Sequence, residues 1–136
     1  MLGPDPESLP HYFRRITSRS VTIMVVNETT ERLELDSSTT SLMRGKWGSE
    51  SAIPAVIPPG ASALWRCSSA HVAQGLEGAA TYRFAGEAPH DRVQFVWKNR
   101  YFGPNKYDAA TSRDGCKLLV EGGDGPQALV ALFIGE

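Results

Sequence analysis

The sequence has little of the features that mark nucleic-acid-binding and membrane-spanning proteins. Its 14 Lys and Arg residues nearly balance its 15 Asp and Glu residues, and the formal net charge is −1. A nucleic-acid-binding domain normally carries a strongly basic face, so this balance argues against a nucleic-acid partner. No apolar run approaches the roughly 20 residues that a membrane-spanning helix requires. Any membrane role should therefore be peripheral.

Cysteine is also scarce. Cys67 and Cys116 are the only two, and they lie far apart in the sequence. They could form one disulfide or remain separate thiols, and with His71 and His90 they could supply four zinc ligands. Isolated buried thiols and exposed histidines explain the same residues, and a domain of this length folds without a metal or a disulfide. We therefore predict one domain with no metal and no cofactor.

Catalytic constellations are missing as well. The three histidines lie in the N-terminal segment, a polar segment and a turn, and no Ser or Cys occupies a strained, glycine-flanked elbow. Glu77 has no second carboxylate nearby in the sequence, which argues against acid/base catalysis by a carboxylate pair. We therefore expect a protein that is not an enzyme.

The first 18 residues differ from the rest of the chain. They contain Pro4, Pro6 and Pro10, which interrupt any helix, and they lack the basic, apolar and small-residue order of a secretory signal. We predict a loose leader over residues 1–18 and one folded domain over residues 19–136. The compartment of the protein is left open.

From Arg19 onward the pattern is typical of β-structure. Val21, Ile23 and Val25 alternate with their neighbours, as expected for a strand. Closely spaced turn signals follow, including Pro58-Pro59-Gly60 and the glycine-rich segment 122–126. Because no convincing helix interrupts this pattern, it predicts an all-β fold, a single antiparallel β-sandwich of about eight or nine short strands.

The most informative stretch is residues 93–107, where an alternating strand runs into an aromatic loop rich in cations. Aromatic rings beside the turn signal Gly103-Pro104 should be partly exposed, whereas core rings should not. An aromatic face attracts a quaternary ammonium, and Lys or Arg can bind a phosphate, so together they suit a phospholipid headgroup. The predicted lipid-binding residues are Trp47, Trp97, Tyr101, Phe102, Tyr107, Lys98, Arg100 and Lys106.

Each aromatic residue also has a structural interpretation. Trp97 shares one strand face with Phe95 and Val93, and it belongs to the core if that face points inward. Tyr101 and Phe102 could instead pack locally at the end of a hairpin. Trp65, which lies between Leu64 and Arg66 in a predicted strand, is interpreted as structural.

The order of several short segments resembles the aegerolysin family and, more loosely, the actinoporin-like and hemolysin-like β-sandwiches. The resemblance runs from about residue 19 to the end, through Ser20-Val21-Thr22-Ile23, Gly45-Lys46-Trp47, Ile57-Pro58-Pro59-Gly60, Gly75-Leu76-Glu77-Gly78, Phe95-Val96-Trp97 and Gly103-Pro104-Asn105-Lys106-Tyr107. It implies a small sandwich that recognises membrane lipids, often sphingolipids. Such a protein is sometimes the targeting component of a cytolytic system with a larger pore-forming partner.

Two segments depart from the family pattern. Only one acid, Glu50, follows Trp47 in the segment 48–51, where aegerolysins usually carry an Asp-rich stretch. Residues 98–103 replace the Cys-Pro-Trp-Gly segment that usually follows the aromatic strand. The lipid bound by this chain is therefore expected to differ from that of typical members.

Three classes of function fit these observations. The first is a peripheral lipid-binding protein, for which we expect binding without pore formation by this chain alone. The second is a lectin-like module that stacks a sugar on an exposed ring and uses polar partners such as Asn99, Asn105 or Asp108. The third is a non-catalytic interaction domain whose loop contacts a protein, including a second copy of the chain.

Overall fold

The computed structural model describes residues 19–48, 52–69, 74–86 and 90–136, so the predicted leader lies outside the described residues. Eleven strands lie within the described ranges, together with a short 3-10 helix at Ser37–Thr39. The strands are β1 (Ser20–Asn27), β2 (Leu33–Leu35), β3 (Ser41–Arg44), β4 (Lys46–Trp47), β5 (Val56–Ile57), β6 (Ser62–Ser68), β7 (Leu76–Phe84), β8 (Arg92–Asn99), β9 (Lys106–Thr111), β10 (Lys117–Gly122) and β11 (Gln127–Gly135).

These strands form two packed sheets. The first has the order β10-β11-β1-β6-β4, and the second has the order β5-β2-β7-β8-β9, with β3 also paired to β7. The pairing is antiparallel except between β1 and β11, which run parallel from Ser20 opposite Gln127 to Asn27 opposite Ile134. The predicted all-β sandwich is therefore confirmed.

The strand count exceeds the expected eight or nine because several strands are short or weakly patterned. β4 and β5 contain two residues each, too few to show a period of two. β9 reads Lys-Tyr-Asp-Ala-Ala-Thr, in which only half-buried residues alternate with exposed ones. Its pairing with β8 along its whole length makes it a strand despite this weak local signal.

The core lies between the inward faces of the two sheets. Val21, Ile23 and Val25 are buried as the alternation predicts. Trp65 on β6 faces Trp97 on β8 across the sandwich, with ring centroids 6.0 Å apart. Trp65 is fully buried, so its structural interpretation is confirmed. Large rings from both sheets thus fill the centre of the sandwich.

The strand ends define two opposite ends of the molecule. At one end, β8 leads into β9 through residues 100–105, beside the starts of β1 and β7; we call this the aromatic end. At the other end, the end of β7 and the start of β8 meet Glu31 and Arg113, and we call this the ionic end. Both sheets contribute to each end, so each end is a composite surface.

Candidate functional site

The loop of residues 100–105 is fixed at its base and exposed at its tip. The Arg19 guanidinium donates a hydrogen bond to the Tyr101 carbonyl and lies over the Tyr101 ring, 5.5 Å from its centroid. Asn105 donates hydrogen bonds of 2.8 and 2.7 Å to the carbonyls of Gly123 and Gly125. Both sides of the loop are therefore anchored to the first sheet.

The tip of the loop carries two aromatic rings. The Tyr101 and Phe102 rings meet edge to face with centroids 4.7 Å apart, and Phe102 is 83% exposed. Gly103 follows with φ of +90°, a conformation that glycine adopts without strain, and this turn directs the chain into Pro104 and β9. The prediction of an exposed aromatic turn is confirmed for Phe102, while Tyr101 is half-buried.

A groove of about 570 Å³ adjoins these rings at the start of β7 and the end of β8. Three cations and one carboxylate converge on it from three different strands or their ends. Its lining residues are Arg44, Gln74, Gly75, Leu76, Glu77, Lys98, Asn99, Arg100 and Tyr101. The structure therefore brings the predicted Lys98, Arg100 and Tyr101 together, and their role in lipid binding remains a prediction.

The charges in this groove are unevenly paired. The Lys98 ammonium lies 2.8 Å from the Glu77 carboxylate, and both side chains keep solvent contact. An exposed pair of this kind contributes little to stability, so Lys98 can exchange its partner at small cost. Within the described ranges, Arg44 and Arg100 form no ion pair. A guanidinium offers a planar fork of donors that matches a phosphate.

Sequence reasoning missed Arg44 and Glu77 as residues of this groove. Arg44 lies opposite Glu77 because β3 pairs with β7, after a register shift between Leu42 and Arg44. That pairing joins segments far apart in the sequence, and nothing in the segment around Arg44 signals it. The position of Glu77 had a weak sequence signal. Its strand and the strand of Lys98 are consecutive in the chain, and consecutive strands often pair antiparallel.

Trp97 does not belong to the exposed site. Its side chain is 0% exposed and packs against Phe95 and Trp65, with centroid separations of 6.2 and 6.0 Å. The prediction that Trp97 contacts lipid is therefore wrong, because its strand face points into the core. The same parity places Lys98, its neighbour, at the surface.

Trp47 lies apart from the residues that line the groove. Its ring is 39% exposed and meets the buried Trp97 ring edge on, with centroids 6.2 Å apart. It lines a separate depression of about 410 Å³ together with Leu35, Ser37, Thr40, Gly48, Ala52 and Ile53. The predicted lipid-binding aromatics are thus divided between two surfaces.

Tyr107 supports the loop from below. Its half-buried ring stacks on Phe95 with centroids 6.1 Å apart. Its hydroxyl accepts a hydrogen bond from Asn99 and donates one of 2.8 Å to the Gly123 carbonyl. Burial is the main cause that raises the pKa of Tyr107. This side chain is therefore engaged within the protein, whereas Lys106 beside it is exposed and lies opposite Lys98.

The residues considered as zinc ligands are not brought together within the described ranges. Cys67 is buried, Cys116 is half-buried, and both are free thiols. Burial raises the pKa of the Cys67 thiol to about 12. His71 lies outside the described residues, and the described part of the chain contains no group of three or more His, Cys, Asp or Glu side chains that could hold a metal.

No helix in the described part of the chain has the length and apolar character needed to cross a membrane.

The fold resembles known structures, whereas the sequence matches no known family. No family model and no curated protein matches the sequence. The similarities that are found lie in the fold, to solved structures of low sequence identity.

Two solved structures illustrate this likeness. The lipid binding protein Nakanori matches with a TM-score of 0.75 and 15% identity, over 87% of this chain and 71% of that chain. The RahU protein, solved in complex with a Tris molecule, matches with a TM-score of 0.67 and 13% identity, over 87% of this chain and 95% of that chain. At such low identities the likeness establishes the fold alone.

Proposed function

We propose that this chain is a non-enzymatic, peripheral membrane-lipid-binding protein of the aegerolysin type. The observation that carries the proposal is the position of the Tyr101 and Phe102 rings beside a groove that holds Arg44, Lys98 and Arg100. Apolar rings and phosphate-binding cations on one surface are the two components that an interfacial lipid site needs. The description of the similarly folded Nakanori as a lipid binding protein adds support.

The two components contribute in different ways. Phe102 can enter the interface without unfolding any strand, because its ring is already exposed. Burying a large ring contributes about 1.5–3 kcal/mol, so two rings suffice for measurable binding but not for irreversible insertion. The guanidinium groups of Arg44 and Arg100 would bind the headgroup phosphate, and the amine of the headgroup would lie against an aromatic face or Glu77.

The proposal extends to the class of lipid that is bound and to the larger system in which the protein acts. A phosphosphingolipid carries the same headgroup phosphate as a glycerophospholipid, so the groove accommodates either by the chemistry described above. We propose a sphingolipid target and a role as the targeting component of a cytolytic system, because both follow from the aegerolysin resemblance. A larger pore-forming protein would then supply the membrane-crossing element.

The sugar-binding alternative fits the site less well. Asn99 is buried, and its amide already donates to the Tyr107 hydroxyl. Asn105 uses its amide in the two bonds to the glycine carbonyls of residues 123 and 125. The amide donors of two of the three polar partners considered for a sugar are thus engaged, while the lysine and two arginines of the groove are accessible.

The test is co-sedimentation with vesicles of phosphatidylcholine, sphingomyelin, ceramide phosphoethanolamine or an anionic lipid. The Tyr101→Ala/Phe102→Ala variant should lose binding at least about 100-fold, because both rings leave the interface. Leu64→Ala, which removes an exposed apolar side chain from the outer face of β6, is the matched control and should bind normally. Equal binding by the two variants, or no binding to any vesicle by the natural chain, would overturn the proposal.

A second pair of variants tests the cations. Arg44→Gln/Arg100→Gln should weaken vesicle binding about tenfold or more and reduce its dependence on salt, since two phosphate contacts are removed. Arg92→Gln, an exposed arginine at the start of β8 in the ionic end, is the control. Competition by free sugars instead of phospholipid headgroups would favour the lectin-like alternative.

A further inference from the structure

β10 is a long, regular strand at the edge of its sheet. It pairs with β11 in continuous register from Lys117 opposite Gly135 to Gly122 opposite Val130, and with no other strand in the described part of the chain. The opposite edge of the same sheet, β4, has only two residues. An edge strand presents unpaired N–H and C=O groups that can add a further strand.

The outward side chains of β10 have a self-complementary order. Lys117, Leu119 and Glu121 alternate on the exposed face, a cation and an anion on either side of an apolar residue that is 55% exposed. A two-fold axis through Leu119 exchanges the positions of Lys117 and Glu121. On the other face, the same axis exchanges Leu118 and Val120, which are only half-buried.

We infer that β10 pairs antiparallel with β10 of a second copy of this chain, centred on Leu119. Lys117 of each copy then lies opposite Glu121 of the second copy, and the two Leu119 side chains face each other. Leu118 of each copy lies opposite Val120 of the second copy on the inner face. Opposite charges and apolar pairs directly across an antiparallel ladder are the pairings that stabilise sheets. The dimer joins the two sheets that contain β10 into one continuous sheet.

The long edge of the second sheet provides a contrast. β9 exposes Lys106, Asp108 and Ala110 on its outer face. A two-fold axis through Asp108 would place its carboxylate against the same carboxylate of a second copy, and Lys106 against Ala110. Like charges directly opposite are destabilising. With the axis through the third residue of each strand, the charge order therefore favours self-pairing at β10 and opposes it at β9.

The proposed symmetry has a functional consequence that rests on the function proposed above. An antiparallel pair reverses strand direction, so the aromatic ends of the two copies point to opposite sides of the dimer. One dimer then presents a lipid site on each side and would link two vesicles. The small net charge of −1 does not oppose such self-association.

The first experiment measures the oligomeric state by sedimentation without lipid. The natural chain should dimerise with rising concentration. Lys117→Glu should weaken the dimer about tenfold, because the introduced carboxylate would oppose Glu121 of the second copy. The double variant Lys117→Glu/Glu121→Lys restores opposite charges across the axis and should recover the dimer. A natural chain that stays monomeric, or a double variant as weak as the single one, would overturn the inference.

A second readout separates this inference from the lipid proposal. The turbidity of vesicle suspensions reports linking, and co-sedimentation reports binding. At a fixed protein concentration, Lys117→Glu should reduce the turbidity while it leaves co-sedimentation unchanged, and the double variant should restore the turbidity. If the natural chain binds no vesicles, the lipid proposal fails, but the lipid-free sedimentation result still decides whether β10 pairs with itself.

Discussion

The two ends of the sandwich use charged and aromatic residues in opposite ways. At the ionic end, the Arg113 guanidinium binds the carboxylates of Glu31 and Asp91 and stacks over the Phe84 ring, 3.8 Å from its centroid. At the aromatic end, Phe102 projects into solvent. The same residue types therefore bind within the protein at one end and are available to a partner at the other.

A buried polar network also stabilises the ionic end. Asn27 at the ionic end donates to the carbonyls of Glu31, Ile57 and Pro58 and accepts two bonds from Thr29. This network fixes the connection between β1 and β2. The exposed tip at the aromatic end, where Phe102 is 83% exposed, is expected to contribute less to stability.

The largest effect is expected from the core beneath the aromatic end. Trp97→Ala should lower the free energy of unfolding by about 3–5 kcal/mol, because it opens a cavity among Phe95, Trp65 and Trp47. Phe102→Ala, the matched aromatic truncation at the exposed tip, should change it by less than about 0.5 kcal/mol. Urea denaturation of both variants measures the difference, and similar losses would contradict the division between core and surface rings.

The next effect is expected at the ionic end. Arg113→Ala should lower the free energy of unfolding by about 2 kcal/mol, because two carboxylates lose their shared partner and Phe84 loses its cover. The Arg113 side chain is only 18% exposed, so water cannot fully replace these contacts. Thermal unfolding measures the loss, with exposed Arg92→Ala as control. Vesicle binding by the folded variant should be unchanged. A loss of binding would show that the ionic end also takes part in vesicle binding.

The sequence predicted the sandwich because its long strands alternate clearly. β1 follows a period of two from Val21 onward and β11 follows it over all nine residues, and each buried position is apolar apart from Ser20 and the terminal Asn27. The parallel pairing of β1 with β11 was not predictable, since period alone carries no information on strand direction. The shortest strands depend on their partners, and therefore no local pattern reveals them.

Of the residues that line the groove, those that are close in the sequence were predicted together and Arg44 was not. Lys98, Arg100 and Tyr101 are close in the sequence, so their convergence follows from one strand end. Arg44 reaches the groove only through the β3–β7 pairing. For Trp97, the alternation identified its companions on one face, but only the packing of the second sheet determines which face is inside.

A smaller effect should separate the base of the aromatic end from its tip. Tyr107→Phe removes the hydroxyl that links Asn99 to the Gly123 carbonyl and should cost about 1 kcal/mol of stability. Vesicle binding should stay within about twofold of the natural chain, because the stacked ring remains in place. Chemical denaturation and co-sedimentation test the two statements. Vesicle binding weakened by much more than twofold in a folded variant would show that the Tyr107 hydroxyl takes part in lipid binding.

The smallest effect concerns the acid sensitivity of the ionic end. The Glu136 carboxylate accepts hydrogen bonds of 3.0 Å from the Thr30 backbone N–H and hydroxyl, which lower its pKa. A carboxyl group whose pKa is lowered by folding stabilises the protein above its usual pKa, and this contribution is lost as the pH falls through the folded value. The natural chain should therefore be more stable than Glu136→Gln at pH 7, and this difference in the free energy of unfolding should disappear in acid.

Asp36, which directly follows β2 of the second sheet, supplies the matched comparison for the titration of Glu136. Hydrogen bonds from Ser38 and Arg83 lower its pKa from 3.8 to about 2. Its contribution should be complete above pH 3.8 and disappear only as the pH falls toward 2, so Asp36→Asn should remain less stable than the natural chain through most of that interval. Urea titrations of both variants from about pH 7 to about pH 2 locate the two losses. If the Asp36→Asn difference closed above pH 3.8, the hydrogen bonds from Ser38 and Arg83 would not be what holds Asp36 ionised, and the acid response of the molecule would have to originate elsewhere.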